Sequence, residues 1–219
     1  KLGMHIHTRY EVSNNAGQDI CDIVNNEGFD FLLVGSGISM SDSPDDIAAT
    51  RYRTSFYNRY FKRFKAPESW FYPGALLKDK TKMFIARSNC DVGVFINRNF
   101  VKATNTLVVI SSEEDLFLLD YTRTLLKATH GSVGIVAKMS TTTPGHDQIL
   151  KELWDFVSSI PQTQLLPDKD LTPGLFNSYN FMLIGYNTWN DVSEHRKEAL
   201  QKMPSTLILN KNKRSSSDN

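Results

Sequence analysis

The sequence predicts an α/β protein of two tandem modules with mainly parallel sheets: an incomplete one over residues 1–100, a second over 101–212, and a polar, disordered tail at 213–219. Three observations carry this expectation. Short uninterrupted apolar runs at Asp30 to Val34, Val92 to Ile96, Thr106 to Ile110 and Tyr179 to Ile184 have the length and composition of strands covered on both faces. Between them lie longer segments whose apolar residues recur at helical spacing. Connections of that length join strands as crossovers, and crossovers make the pairing parallel. Cys90 to Arg98 is the pivot, because a buried strand ends there in polar residues and a second strand-helix series follows at once.

Met4 to Val12 alternates apolar and polar residues as a strand does, and Asn14 or Asn15 caps a helix from Gln18 to Asn26 with Ile20, Ile23 and Val24 on one face. Gly28 ends that helix. The strand Asp30 to Val34 runs into Gly35-Ser36-Gly37, and a loop rich in Ser, Asp and Pro reaches Asp46. A helix with Tyr52, Phe56, Tyr57, Tyr60, Phe61 and Phe64 at helical spacing follows, broken by Pro67, Pro73 and Gly74, and a helical pattern resumes from Ala75 to Arg87.

In the second half, Ser111-Ser112 before Glu113-Glu114-Asp115 is a capping sequence with acids where the helix dipole favours them. It opens a helix to about Thr129, which His130-Gly131 stops. Val133 to Met139 is the next strand, Thr141 to Gly145 a loop, and Ile149, Leu150, Leu153, Trp154 and Val157 mark a helix that halts before Pro161. Gln164 to Leu166 reads as a short edge strand, Asp191 to Met203 as a helix and Thr206 to Leu209 as the last strand. Both halves therefore close on a strand-helix-strand unit.

The chain has 219 residues and opens on Lys1 rather than Met, as a piece of a longer protein would. Hydrophobic residues make up 40%, enough for a sizeable core. Lys and Arg number 25 against 24 Asp and Glu, so the molecule has almost no net charge with which to hold nucleic acid, and no such partner is expected. Cys21 and Cys90 are far apart and form no CxxC, which suits a reducing, cytosolic compartment. The longest apolar run, near Phe31 to Val34, falls far short of the roughly 20 residues that span a bilayer.

Two stretches are candidate binding sites. Gly35, Ser36 and Gly37 follow a parallel strand, where α/β sheets bind ligands and backbone amides cradle phosphate, although a plain loop is the simpler reading. Arg51, Arg53, Arg59, Lys62, Arg63 and Lys65 form a basic, acid-free stretch interleaved with aromatics, suited to phosphates or an anionic membrane surface. The competing reading is a helix with its aromatics in the core and its cations in water. His5 and His7 share a strand face but have no ligand-spaced partner, so no metal is expected. With no G-x-S-x-G, Walker loop or H-E-x-x-H, no catalytic residue is assigned and the protein reads as a non-enzyme.

Asn89-Cys90-Asp91-Val92-Gly93-Val94-Phe95-Ile96-Asn97-Arg98 resembles the strand that closes the first cytosolic module of plant and fungal potassium/proton antiporters. The strand Thr106 to Ile110, the small pair Ser111-Ser112, the acids Glu113 to Asp115 and the helix with Leu118, Leu119, Leu125 and Leu126 closing at His130 continue the likeness. Asp19-Ile20-Cys21 and Asp30 to Val34 are similar to an upstream helix and strand of that family. Asp91, Asn97 and Asn99 stand where the family has Ser, Asp and Gly, and the first module lacks the two strands that would precede Met4.

The resemblance implies a regulatory domain of two universal-stress-protein-like (Rossmann-like) modules at the cytosolic face of a Golgi or endosomal membrane. Its partners would be the antiporter's own transmembrane domain, a second copy, or the membrane surface. It also implies an alternative, a nucleotide-sensing module in which Gly35, Ser36, Gly37, Ser111 and Ser112 would hold an adenine nucleotide. Universal stress proteins that hold ATP use a glycine, two residues, a second glycine, nine residues, then a third glycine and a Ser or Thr. Here no glycine follows Gly37 until Gly74, none follows Gly185, and the strand ending at Ser111 lacks the acid such proteins set against the nucleotide. No cofactor is therefore expected in the leading reading.

Overall fold

A computed structural model describes residues 12–35, 80–139, 144–167, 171–195 and 202–212. All of the strand expected from Met4 to Val12 except Val12 itself, the aromatic helix from Tyr52, residues 75–79, residues 141–143 and the tail at 213–219 lie outside the described residues.

Local chemistry sets the elements. Asn15 caps α1 (Ala16–Glu27) by accepting from the Gln18 amide at 3.4 Å, and Gly28, at φ 68, supplies the left-handed stop. The apolar runs become β1 (Phe31–Gly35), β2 (Asp91–Ile96) and β3 (Asn105–Ile110), with α2 (Lys80–Arg87) between the first two. Beyond β3 come α3 (Leu118–Thr129), β4 (Ser132–Ala137), α4 (His146–Ser159), β5 (Thr163–Pro167), α5 (Pro173–Phe176), β6 (Phe181–Gly185), α6 (Tyr186–His195) and β7 (Ser205–Asn210). His130 ends α3 in the left-handed region at φ 53, and Asn99 adopts φ 58 at the position where the resembled family has Gly.

The α/β class and the mainly parallel pairing hold, but in place of a separate sheet for each of two tandem modules the seven described strands form one mostly parallel sheet in the order β1-β2-β7-β6-β3-β4-β5. The chain winds outward from β3 through β4 to β5, as an edge strand should, then returns to β6 and winds the other way to β7. The direction reverses between β3 and β6, and a crevice opens beyond their carboxyl ends.

Strands from both halves of the chain share this sheet. β2 runs antiparallel to β7, with Val92 opposite Asn210 and Ile96 opposite Thr206, the one antiparallel joint among the described strands. β1 and β2 are adjacent parallel strands, as are β6 and β7, and this joint sets the two pairs in opposite directions.

Alternation along the strands sends side chains to two helical layers. Leu107 and Val109 face Phe176, Trp189 and Val192 of α5 and α6, whereas Val108 and Ile110 face Leu118, Leu126, Ile149 and Leu153 of α3 and α4. Cys21, Phe84 and Val92 form a smaller cluster where α1 and α2 cover β2.

Two helix starts differ from the sequence reading. Glu113–Asp115 form a tight 3-10 turn held by i to i+3 bonds such as Leu116 N–H to Glu113 O (3.1 Å), and the α-helix begins only at Leu118. The last helix begins at Tyr186, five residues before Asp191, because β6 passes straight into it and buries Trp189 and Val192. Tyr, Asn and Thr are weak helix formers, so the acid at Asp191 looked like the start. His195 accordingly sits ten residues into the helix rather than near its beginning.

Candidate functional site

The crevice between β3 and β6 is where the fold brings polar groups together. Ser111 and Ser112 follow β3, Gly185 ends β6, and Thr188 lies in the first turn of α6. At their centre is Asp115, only 2% exposed. Its Oδ2 accepts from the Ser111 amide (2.8 Å), the Ser111 hydroxyl (3.2 Å), the Ser112 amide (3.3 Å) and the Thr188 hydroxyl (2.6 Å). The Ser111 and Thr188 hydroxyls are also in contact.

Gly185 completes the packing: a Cβ built there would overlap Asp115 Oδ1. The glycine is needed because the carboxylate lies directly against the β6 backbone. The donors that would cradle a phosphate beyond β3 are thus already engaged by the chain's own anion. A single buried carboxylate oxygen accepts from four donors, and such charge-assisted bonds are the stronger class.

The crevice is the floor of an open cleft of about 770 Å³. Among the described residues, Glu113, Glu114, Asp115, Asp120, Glu152 and Asp155 line it against two cations, Arg123 and Lys211, an excess of negative charge. Arg123 is partly committed, paired with Asp120 at 3.1 Å and stacked 5.3 Å above the Phe156 ring.

The sequence-predicted residues separate into three groups. Ser111 and Ser112 are in the crevice, but as donors to Asp115. Gly35 ends β1, which points to the opposite end of the sheet because the β2–β7 joint is antiparallel, so Gly35 and Ser111 do not share a site. Among the described residues, a Cβ at Gly35 would meet nothing within 4 Å. Ser36, Gly37, Arg51, Arg53, Arg59, Lys62, Arg63 and Lys65 lie outside the described residues.

Sequence reasoning missed the roles of Asp115, Thr188 and Gly185. The capping sequence at Ser111-Ser112 places Asp115 among the acids of a first helical turn, whereas Thr188 is far away in the chain and carries no signal.

Among the described residues, no group of three or more His, Cys, Asp or Glu can hold a metal ion, and no helix is long and apolar enough to cross a membrane. Cys21 and Cys90 are both buried and unpaired, and burial raises both thiols above their ordinary range, which favours the unreactive protonated form.

No family model matches the sequence, and no curated protein matches it. Thirteen chains of solved structure do match its fold. A universal stress protein from Archaeoglobus fulgidus DSM 4304 aligns with a TM-score of 0.50 at 12% identity, over 90% of this chain and 66% of that one. Another from Pseudomonas aeruginosa UCBPP-PA14 aligns with a TM-score of 0.47 at 11% identity, over 90% of this chain and 68% of that one. The chain therefore spans slightly under two thirds of the length of the first of these proteins. The fold is universal-stress-protein-like.

Proposed function

We propose that the chain is a non-catalytic regulatory domain of a potassium/proton antiporter. In this reading it controls exchange at the cytosolic face of an intracellular membrane by docking against its own membrane domain or a second copy. The likeness of Asn89 to Arg98 and Thr106 to His130 to that family supports the assignment, and the universal-stress-protein-like fold is the architecture this likeness implies. The two halves then read as tandem modules whose last strands, β2 and β7, meet at the antiparallel joint.

One observation favours docking over nucleotide sensing: Asp115 already occupies the donors at the head of β3. A phosphate approaching them would have to displace a buried carboxylate and enter a cleft lined by further acids. Calorimetric titration of the chain with ATP, ADP and AMP should therefore give no binding heat. Micromolar binding of any of the three would replace this reading with nucleotide sensing.

The docking half is tested separately. Membrane vesicles carrying the full antiporter should lose regulation of potassium-driven proton movement when this domain is removed. An unchanged rate and ion dependence would contradict the proposal.

A further inference from the structure

Three features of the described residues invite a reading beyond docking itself: the acidic cleft, the buried cysteines and the caged carboxylate of Asp115. Only the last has a geometry that specifies a chemistry. Asp115 is almost fully buried, its Oδ2 gathers two amides and two hydroxyls from segments 73 residues apart, and Gly185 gives up its side chain to let Oδ1 lie against β6. A helix cap alone would need neither Thr188 nor the glycine. These four donors form a site for a small oxyanion, and the chain supplies that oxyanion itself.

We propose that Asp115 is a resident anion: its carboxylate is the covalently tethered occupant of an oxyanion site at the crevice between β3 and β6, and it sets the specificity of the crevice by excluding phosphate-bearing ligands. The inference deepens the regulatory reading above by naming the residue that closes the crevice, and it rests on that reading only for its biological consequence. The donor set that the carboxylate satisfies is the one that a phosphate or a free carboxylate would satisfy in its absence.

Removing the tether tests this directly. In Asp115→Gly the four donors lose their acceptor while the space beside Gly185 is emptied. Melting temperatures of the native chain, Asp115→Gly and Asp115→Asn are compared in sodium formate, sodium phosphate and sodium chloride at matched ionic strength. Asp115→Gly should melt below the native chain in chloride and recover part of the loss in formate or phosphate, in the concentration-dependent manner of a ligand that binds the folded state. The native chain and Asp115→Asn, whose crevices remain filled, should show no preference among the three salts.

A folded Asp115→Gly that melts identically in all three salts would overturn the proposal, as would a native chain stabilised by phosphate to the same degree as the variant. If Asp115→Gly does not fold in chloride, refolding yield in formate against chloride becomes the readout, and equal yields overturn it. These outcomes do not depend on any docking partner, so failure here leaves the regulatory reading standing, and loss of regulation in vesicles can fail without touching this one.

Discussion

Gly185→Ala should lower the stability of the folded chain by about 2–3 kcal/mol, a large effect for one methyl group, because the added Cβ has no unoccupied direction. It would overlap Asp115 Oδ1 and approach Asp115 Cγ to 3.1 Å. A flexible side chain would swing aside at little cost, but this carboxylate is fixed through Oδ2 by Ser111, Ser112 and Thr188. Either the carboxylate leaves and strands four donors, or β6 shifts against β3 and β7.

The shift in denaturant midpoint reads the loss. A double-mutant cycle identifies its cause: in the Asp115→Gly background the same Gly185→Ala change should cost less than about 1 kcal/mol, since the clashing atoms are gone. Additive losses, or a cost below about 0.5 kcal/mol in the native background, would mean that the carboxylate is not held against β6.

The second large effect is expected at Asp91, where β2, α3 and the segment after β7 are tied together. Asp91 accepts from the Tyr121 hydroxyl at 2.9 Å and from the Asn212 amide at 2.8 Å, while the Asn212 side chain donates to Ser88 O at 2.8 Å. Tyr121 also packs its ring 5.9 Å from Phe31 of β1. Asp91→Ala should cost about 2–3 kcal/mol, because it strands a partly buried phenol and an amide that had been bonded to a charged acceptor. Tyr121→Phe should cost about 1 kcal/mol, and the double variant should lose less than the sum.

The phenol adds a pH dependence. Burial first, then the hydrogen bond to Asp91 and that residue's charge, raise the Tyr121 pKa well above its ordinary value. The folded chain therefore keeps the phenol neutral where an unfolded Tyr ionises. Its contribution is complete below about pH 10 and is lost as pH rises further, and Tyr121→Phe should unfold less steeply over that alkaline range. Identical alkaline profiles would remove Tyr121 from the joint.

Much of this architecture was legible in the sequence because burial on both faces writes itself as continuous apolar runs. Phe31 to Val34, Val92 to Ile96 and Thr106 to Ile110 are strands for that reason, and Asn15, Gly28 and His130 mark helix ends by their own conformational preferences. The antiparallel joint was not legible. Val92 to Ile96 and Thr206 to Leu209 are equally apolar, and nothing in either run names its partner or its direction.

The crevice was half legible. Ser111, Ser112 and the spacing to Asp115 are local and were read as a cap, which the Ser112 amide to Asp115 bond bears out. That the same carboxylate also reaches Thr188 and presses on Gly185 depends on β6 lying beside β3, which only the assembled sheet decides.

A crystal structure of the chain grown in millimolar ATP and magnesium tests the central claim most directly. The account predicts Asp115 Oδ2 still within hydrogen-bond distance of the Ser111 and Ser112 amides and the Thr188 hydroxyl, with no nucleotide at the head of β3. A phosphate seated on those donors, with Asp115 turned out into the cleft, would contradict it.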